Sequence, residues 1–233
     1  MRRLLAAGVG AVVILIGGVV VWATLLREDA PAAFELTETD DDRTASGTAG
    51  GVAPTEERVG LDGTWIVTEG SEAGYRVIED IGELLDLEAV GRTTEVTGSI
   101  EITGSTITNA TFEVDVASIR SDDGRRDTRF RDRVMNVSEF PTARLTMTAP
   151  VELGSVPAEG EPVSAIVSAQ LTLRGTTNPI TFPVDAQLSG GQIEIVGIID
   201  VLFSDYGIAN PSNPLVEVRD EGQVEVQLFL SAG

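Results

Sequence analysis

All-β is the fold class that this sequence predicts, on three observations. Apolar and polar residues alternate with period two over most of the chain after Leu61, turn-forming clusters punctuate the alternation, and only one stretch has clear helical spacing. Strict alternation marks a strand with one apolar and one wetted face. Strands of that kind close on themselves or stack as two sheets. Strand pattern alone does not choose between these, though long strands with short connections mildly favour an up-and-down antiparallel barrel, and a barrel of about eight strands can hold one small ligand.

The chain opens on Met1-Arg2-Arg3 and then runs without a charge from Leu4 to Leu26. A hydrocarbon core about 30 Å thick takes roughly 20 helical residues, so residues 1–27 are expected to form a transmembrane anchor. The run is too long for the apolar region of a cleaved signal peptide, although Pro31-Ala32-Ala33 offers a weak cleavage site. Arginines before the run and Glu28 and Asp29 after it favour a cytoplasmic N-terminus and an extracytoplasmic remainder. Residues 28–60 combine an acidic cluster (Glu38, Asp40, Asp41, Asp42) with a Gly/Ser/Thr-rich run and show no apolar periodicity. Such a stretch buries too little surface to offset its ordering entropy and is expected to be a flexible linker.

Residues 61–233 form the folded domain. Phe112, Val114 and Val116 alternate with Thr111, Glu113 and Asp115. The same rule holds for Leu145 and Met147, for Val167, Ala169, Leu171 and Leu173, and for the alternate residues from Ile180 to Leu188. It continues through Ile193 and Ile195, through Ile199, Val201 and Phe203, and through the alternate residues from Val224 to Leu230. Expected turns are Asn178-Pro179, Ser189-Gly190-Gly191, Asn213-Pro214 and Glu221-Gly222. The helix is expected from about Gly124 to Met135, capped by Ser121 or Asp122. Phe130 and Val134 share one of its faces, and Asp127 and Arg131 stand at ion-pair spacing. Ile81–Leu85 fits a short helix or an irregular strand equally well.

Composition removes most catalytic chemistry. The chain has no histidine, no cysteine and no lysine, so all 16 basic groups are arginines. The imidazole base, the thiol nucleophile, the Schiff-base lysine and the Cys/His metal site go together. Carboxylates are abundant but stand in no motif, and the phosphate-loop, dinucleotide and Gly-x-Ser-x-Gly patterns are absent. The expectation is a binding protein, not an enzyme, with no cofactor and no metal. Net charge is −21 overall, and from Leu61 onward 11 arginines face 28 carboxylates, a net of −17. Nucleic acid is therefore a poor partner.

Two groups of residues remain as candidates for binding. Six arginines crowd between Arg120 and Arg133, the pattern of either an anion clamp or a ladder of local ion pairs. The strands turn bulky apolar residues inward, interleaved with the small Ala143, Ala165, Ala169 and Ala186. Such a lining either fills the barrel or leaves an apolar pocket suited to a lipid.

Three ordered motifs resemble those of YceI-like proteins. They are Gly124-Arg125-Arg126-Asp127-Thr128-Arg129-Phe130-Arg131 with Ser138-Glu139-Phe140-Pro141-Thr142-Ala143, then Leu171 to Ile180, then Ser204-Asp205-Tyr206-Gly207-Ile208. Thr64-Trp65 to Tyr75 is similar to the family's opening strands, and the resemblance covers about residues 61–230. The matching positions are Arg126, Asp127, Phe130, Arg131, Phe140, Pro141, Leu173, Gly175, Thr177, Ser204, Asp205, Tyr206 and Gly207. The resemblance implies a lipocalin-like eight-stranded barrel with a helix at one end that holds a polyisoprenoid chain, such as an isoprenoid lipid or a quinone tail, and is usually exported. Thr128-Arg129 stand where the family commonly carries a histidine. The expectation is therefore an extracytoplasmic, membrane-anchored lipid-binding protein. Its alternative is a structural or protein-interaction module with a filled core. Candidate ligand contacts are Phe112, Val114, Phe130, Phe140, Leu145, Met147, Leu171, Leu173, Phe182, Ile195, Phe203 and Tyr206, with Arg126 and Arg131 as candidate head-group contacts.

Overall fold

A computed structural model describes residues 30–38, 60–81, 85–212 and 216–233. The expected anchor and most of the expected linker lie outside these residues. Among the described residues no helix is long and apolar enough to cross a membrane.

Among the described residues thirteen strands form one sheet: β1 (Gly63–Val67), β2 (Glu72–Ile81), β3 (Leu85–Thr93), β4 (Val96–Thr103), β5 (Thr106–Asp115), β6 (Arg120–Ser121), β7 (Thr142–Met147), β8 (Val151–Glu152), β9 (Val163–Leu173), β10 (Thr176–Ser189), β11 (Gln192–Leu202), β12 (Glu217–Val218) and β13 (Glu221–Ala232). Several are segments of one longer strand. β1 and β2 both lie antiparallel to β13, end to end, interrupted at Thr68–Ser71. β3 and β4 run on in the same way beside them. Joined so, the sheet is a closed eight-stranded antiparallel barrel in which each strand pairs with its neighbours in sequence and β13 returns to β1.

Turn chemistry sets the register. Arg174 and Gly175 both have positive φ, +49° and +76°, and join β9 to β10 in a two-residue hairpin flanked by the pair Leu173–Thr176. The expected Asn178-Pro179 turn is instead inside β10. β10 pairs with β11 only from Val184 onward, so Pro179 sits where the strand has a partner on one side alone and a missing donor is tolerated. Glu221-Gly222, expected as a turn, begins β13. Val116 leaves the strand for a single 3₁₀ turn, Val116–Ser118.

The helix α1 is shorter than its sequence spacing predicts. It spans Gly124–Arg129 and continues as a wider π turn over Phe130–Val134. Asp123 is the N-cap, its carboxylate accepting from the Arg125 N–H, because Ser121 is already paired with Gly91 as a strand. Asp127 does not reach Arg131. It is buried and accepts from both the N–H and the hydroxyl of Ser121, 2.9 and 2.7 Å away.

The interior divides into two apolar clusters. One, beneath α1, includes Val116, Ile119, Leu173, Phe203 and Tyr206; the other, at the opposite end, centres on Trp65, Ile100, Leu228 and Leu230. The Trp65 indole donates to the Leu61 carbonyl at 2.9 Å, which satisfies its one polar atom. Residues 30–38, read from sequence as linker, lie across the outer wall of the barrel. Phe34 is buried there with its ring 3.8 Å from the Arg92 guanidinium.

Candidate functional site: an apolar chamber beneath the helix

The segment between β5 and β7 carries α1 across one end of the barrel, and a chamber of about 500 Å³ lies beneath it. Its walls come from β2 (Tyr75, Val77), β13 (Val224), β11 (Val201), a second 3₁₀ turn at Phe203–Tyr206 (Phe203) and the helical segment (Phe130, Val134, Met135). Deeper in, a second void of about 110 Å³ continues toward the far end, and Val114, Ala143, Leu173 and Val224 line both. Polar groups gather at the outer rim, where Glu79, Asp123, Arg125, Arg126 and Arg129 meet. The arrangement is a deep apolar hole with a charged rim at its helical end.

Period two explains why the strand side chains face in, and the π turn explains the helix. Widening the last turn places Phe130 against Tyr75, with ring centroids 4.6 Å apart and planes 19° apart. Burial beside the chamber pushes the Tyr75 phenol above its usual range, opposed in part by the neighbouring Arg126 charge.

The sequence-read contacts divide by place. Val114, Phe130, Leu173 and Phe203 line the chamber. Phe112, Leu145, Met147, Leu171, Phe182 and Ile195 line the deeper void, which Val114 and Leu173 also reach. Phe140 and Tyr206 lie in neither. The Phe140 ring is pressed under the β9–β10 hairpin, where a Cβ added to Gly175 would come within 2.5 Å of it. Tyr206 is buried in the core, and the Asn178 side chain beside it donates to the Asp205 carbonyl at 2.8 Å.

Of the two head-group candidates, Arg126 is at the rim and Arg131 is not among the lining residues. Arg126 is committed to carboxylates already: it pairs with Glu79 at 3.3 Å and with Asp122. Sequence reasoning missed Tyr75, Val77 and Glu79; Tyr75 and Val77 flank Arg76 with the period-two signal, whereas Ile78-Glu79 breaks it. Arg125 and Arg129, which belong to the arginine cluster noted in the sequence, also reach the rim, because the helix lies across the barrel end. Among the described residues no cluster of three or more acidic, His or Cys side chains could hold a metal.

Comparison with known proteins bears on this architecture. Residues 67–230 match the YceI-like domain. No curated protein sequence matches the chain. Among solved structures, a polyisoprenoid binding domain from Saccharophagus degradans implicated in plant cell wall breakdown is similar, with TM-score 0.59 and 20% identity over 73% of this chain and 98% of that one. Burkholderia cenocepacia BcnA is similar as well, with TM-score 0.54 and 18% identity over 68% of this chain and 95% of that one.

Proposed function

The chain belongs to the YceI-like family, and we propose that its barrel holds one apolar lipid of isoprenoid type, without catalysing a reaction on it. The observation that carries this reading is the chamber. Its roughly 500 Å³ falls within the range of ligand sites, about 300–1,000 Å³, and its walls are apolar below the rim. The solved relative from Saccharophagus degradans, described as a polyisoprenoid binding domain, supports the choice of ligand class. The alternative, a module with a filled core, conflicts with a void of this size.

The mechanism is sequestration. Removing about 300 Å² of apolar chain from water contributes about 7 kcal/mol at roughly 25 cal/mol per Å². Ordering the flexible chain and restricting its motion oppose this. The deeper void gives a tail room to run on past Leu173 and Val224 while its head stays under α1.

The anchor and the compartment belong to the same proposal. The uncharged run Leu4–Leu26, with arginines ahead of it and carboxylates after it, supports a single-pass membrane protein whose barrel is extracytoplasmic. A tethered barrel would stay beside the bilayer that supplies the lipid. Extraction of the full chain purified in mild detergent, followed by mass analysis of the lipids, tests the reading. A polyisoprenoid species near one per chain is expected. Only bulk phospholipid, in the proportions of the source membrane, would refute it.

A further inference from the structure

Residues 30–38 have no regular secondary structure, yet they are held on the barrel by a built seat. Pro31 and Ala32 offer their carbonyls to the guanidiniums of Arg76 and Arg92. Beneath them Glu225, fully buried on the outer face of β13, bridges the same two arginines at 3.4 and 3.0 Å. Phe34 covers the Arg92 guanidinium. Farther on, Gln227 donates to the Glu35 carbonyl, Gln187 donates to the Thr37 carbonyl, and the Thr37 N–H and hydroxyl donate to the buried Glu194.

These contacts give the segment a direction. Arg76 pairs across to Gln223, near the helical end of β13, whereas Glu194 pairs across to Phe229, near the other end. The segment therefore runs from the chamber rim toward the far end. Its start, Ala30 and Pro31, lies in a cleft with Arg120, Ser121 and Asp122, the residues that lead into α1. In sequence, Ala30 follows the uncharged run Leu4–Leu26 by only three residues.

The rim beside that start differs in charge from the rest of the domain. Arg125 is 93% exposed, with Asp123 3.8 Å away. Arg129, also at the rim, and Arg133, four residues on in the same helical segment, are exposed and pair with no carboxylate among the described residues. We propose that residues 30–38 are a strap that holds the barrel with its chamber rim turned toward an anionic bilayer surface, which these three arginines meet. The domain from Leu61 onward carries a net charge of −17 even with these arginines included, so the rest of it is repelled by the same surface and turned away, and electrostatics and strap favour one orientation. The proposal rests on the reading of Leu4–Leu26 as an anchor.

The absence of cysteine makes the test direct, since each single-cysteine variant carries one label. The full chain is reconstituted in phosphatidylglycerol-containing vesicles with a fluorophore at T128C on α1 or at S105C in the far β4–β5 turn. Quenching by head-group nitroxide lipids is then compared. The strap predicts strong quenching at T128C and weak quenching at S105C. It predicts loss of that difference in an F34A/T37A background that keeps the barrel's circular dichroism, and weaker T128C quenching in R129Q/R133Q. Equal quenching at the two positions overturns the orientation, and an undiminished difference in F34A/T37A overturns the role of the strap. Release of the unlabelled chain from vesicles by alkaline carbonate removes the anchor reading, and the proposal with it.

Discussion

The ring of Tyr75 on β2 lies flat against that of Phe130 in the helical segment, centroids 4.6 Å apart, and this contact joins the barrel wall to the element that roofs the chamber. A stacked aromatic pair contributes about 0.5–1.5 kcal/mol beyond its burial. Phe130→Ala should therefore loosen the roof before it unfolds the barrel. The expected result is a modest fall in stability, about 1–3 kcal/mol by urea titration, together with faster ligand release.

The same burial gives Tyr75 an alkaline signature. Its folded pKa is raised, so between the unfolded phenol's value of about 10 and the higher folded value the unfolded chain binds fewer protons than the native one. Stability contributed by the protonated phenol is complete below about pH 10 and is lost as pH rises through the folded value. Urea midpoints should fall from about pH 10 upward, and Tyr75→Phe should flatten that fall. Tyr206, raised by burial too, leaves a residual slope.

Ion pairs in this chain should differ sharply in worth. Glu225 is fully buried between Arg76 and Arg92, and Glu225→Ala would remove the buried partner of both, leaving the buried Arg76 only its pair with the more exposed Glu88. A loss of about 3–5 kcal/mol is expected. Glu113→Gln, which breaks the exposed pair with Arg144, should cost under about 1 kcal/mol. Similar losses for the two variants would contradict the burial assigned to Glu225.

The β9–β10 hairpin should not accept a side chain at Gly175. Its φ of +76° disfavours any L-residue, and the Phe140 ring occupies the place of a Cβ. Gly175→Ala should cost about 1–3 kcal/mol, measurable as a lower melting temperature, with no direct effect on the chamber.

Strand pattern and family motifs made the barrel legible from sequence, because period-two alternation survives wherever a strand has one wet face. Two kinds of feature escaped it. Local competition moved boundaries: Ser121, a good cap by type, was taken by pairing with Gly91, and the cap passed to Asp123. Polar docking left no periodic trace at all. Residues 30–38 have a single large aromatic, Phe34, and are held by arginine, glutamate and glutamine side chains that, by type, mark a solvated wall. Chamber residues were legible as inward-facing, but whether they fill the barrel depends on the summed volumes of both ends, which no local pattern encodes. Arg131 stands near the rim in sequence but is not among the residues that line the chamber, because sequence proximity does not fix where a side chain points.

Ala143 stands where the chamber meets the deeper void, and Ala143→Phe would place a ring in that junction. Native mass spectrometry of the full chain released from detergent, wild type beside A143F, tests the central claim most directly. The account predicts one apolar ligand per wild-type chain and none on A143F, with both proteins melting as folded barrels. A wild-type chain that carries no ligand and takes up no polyisoprenoid, or an A143F chain that carries as much as wild type, would contradict it.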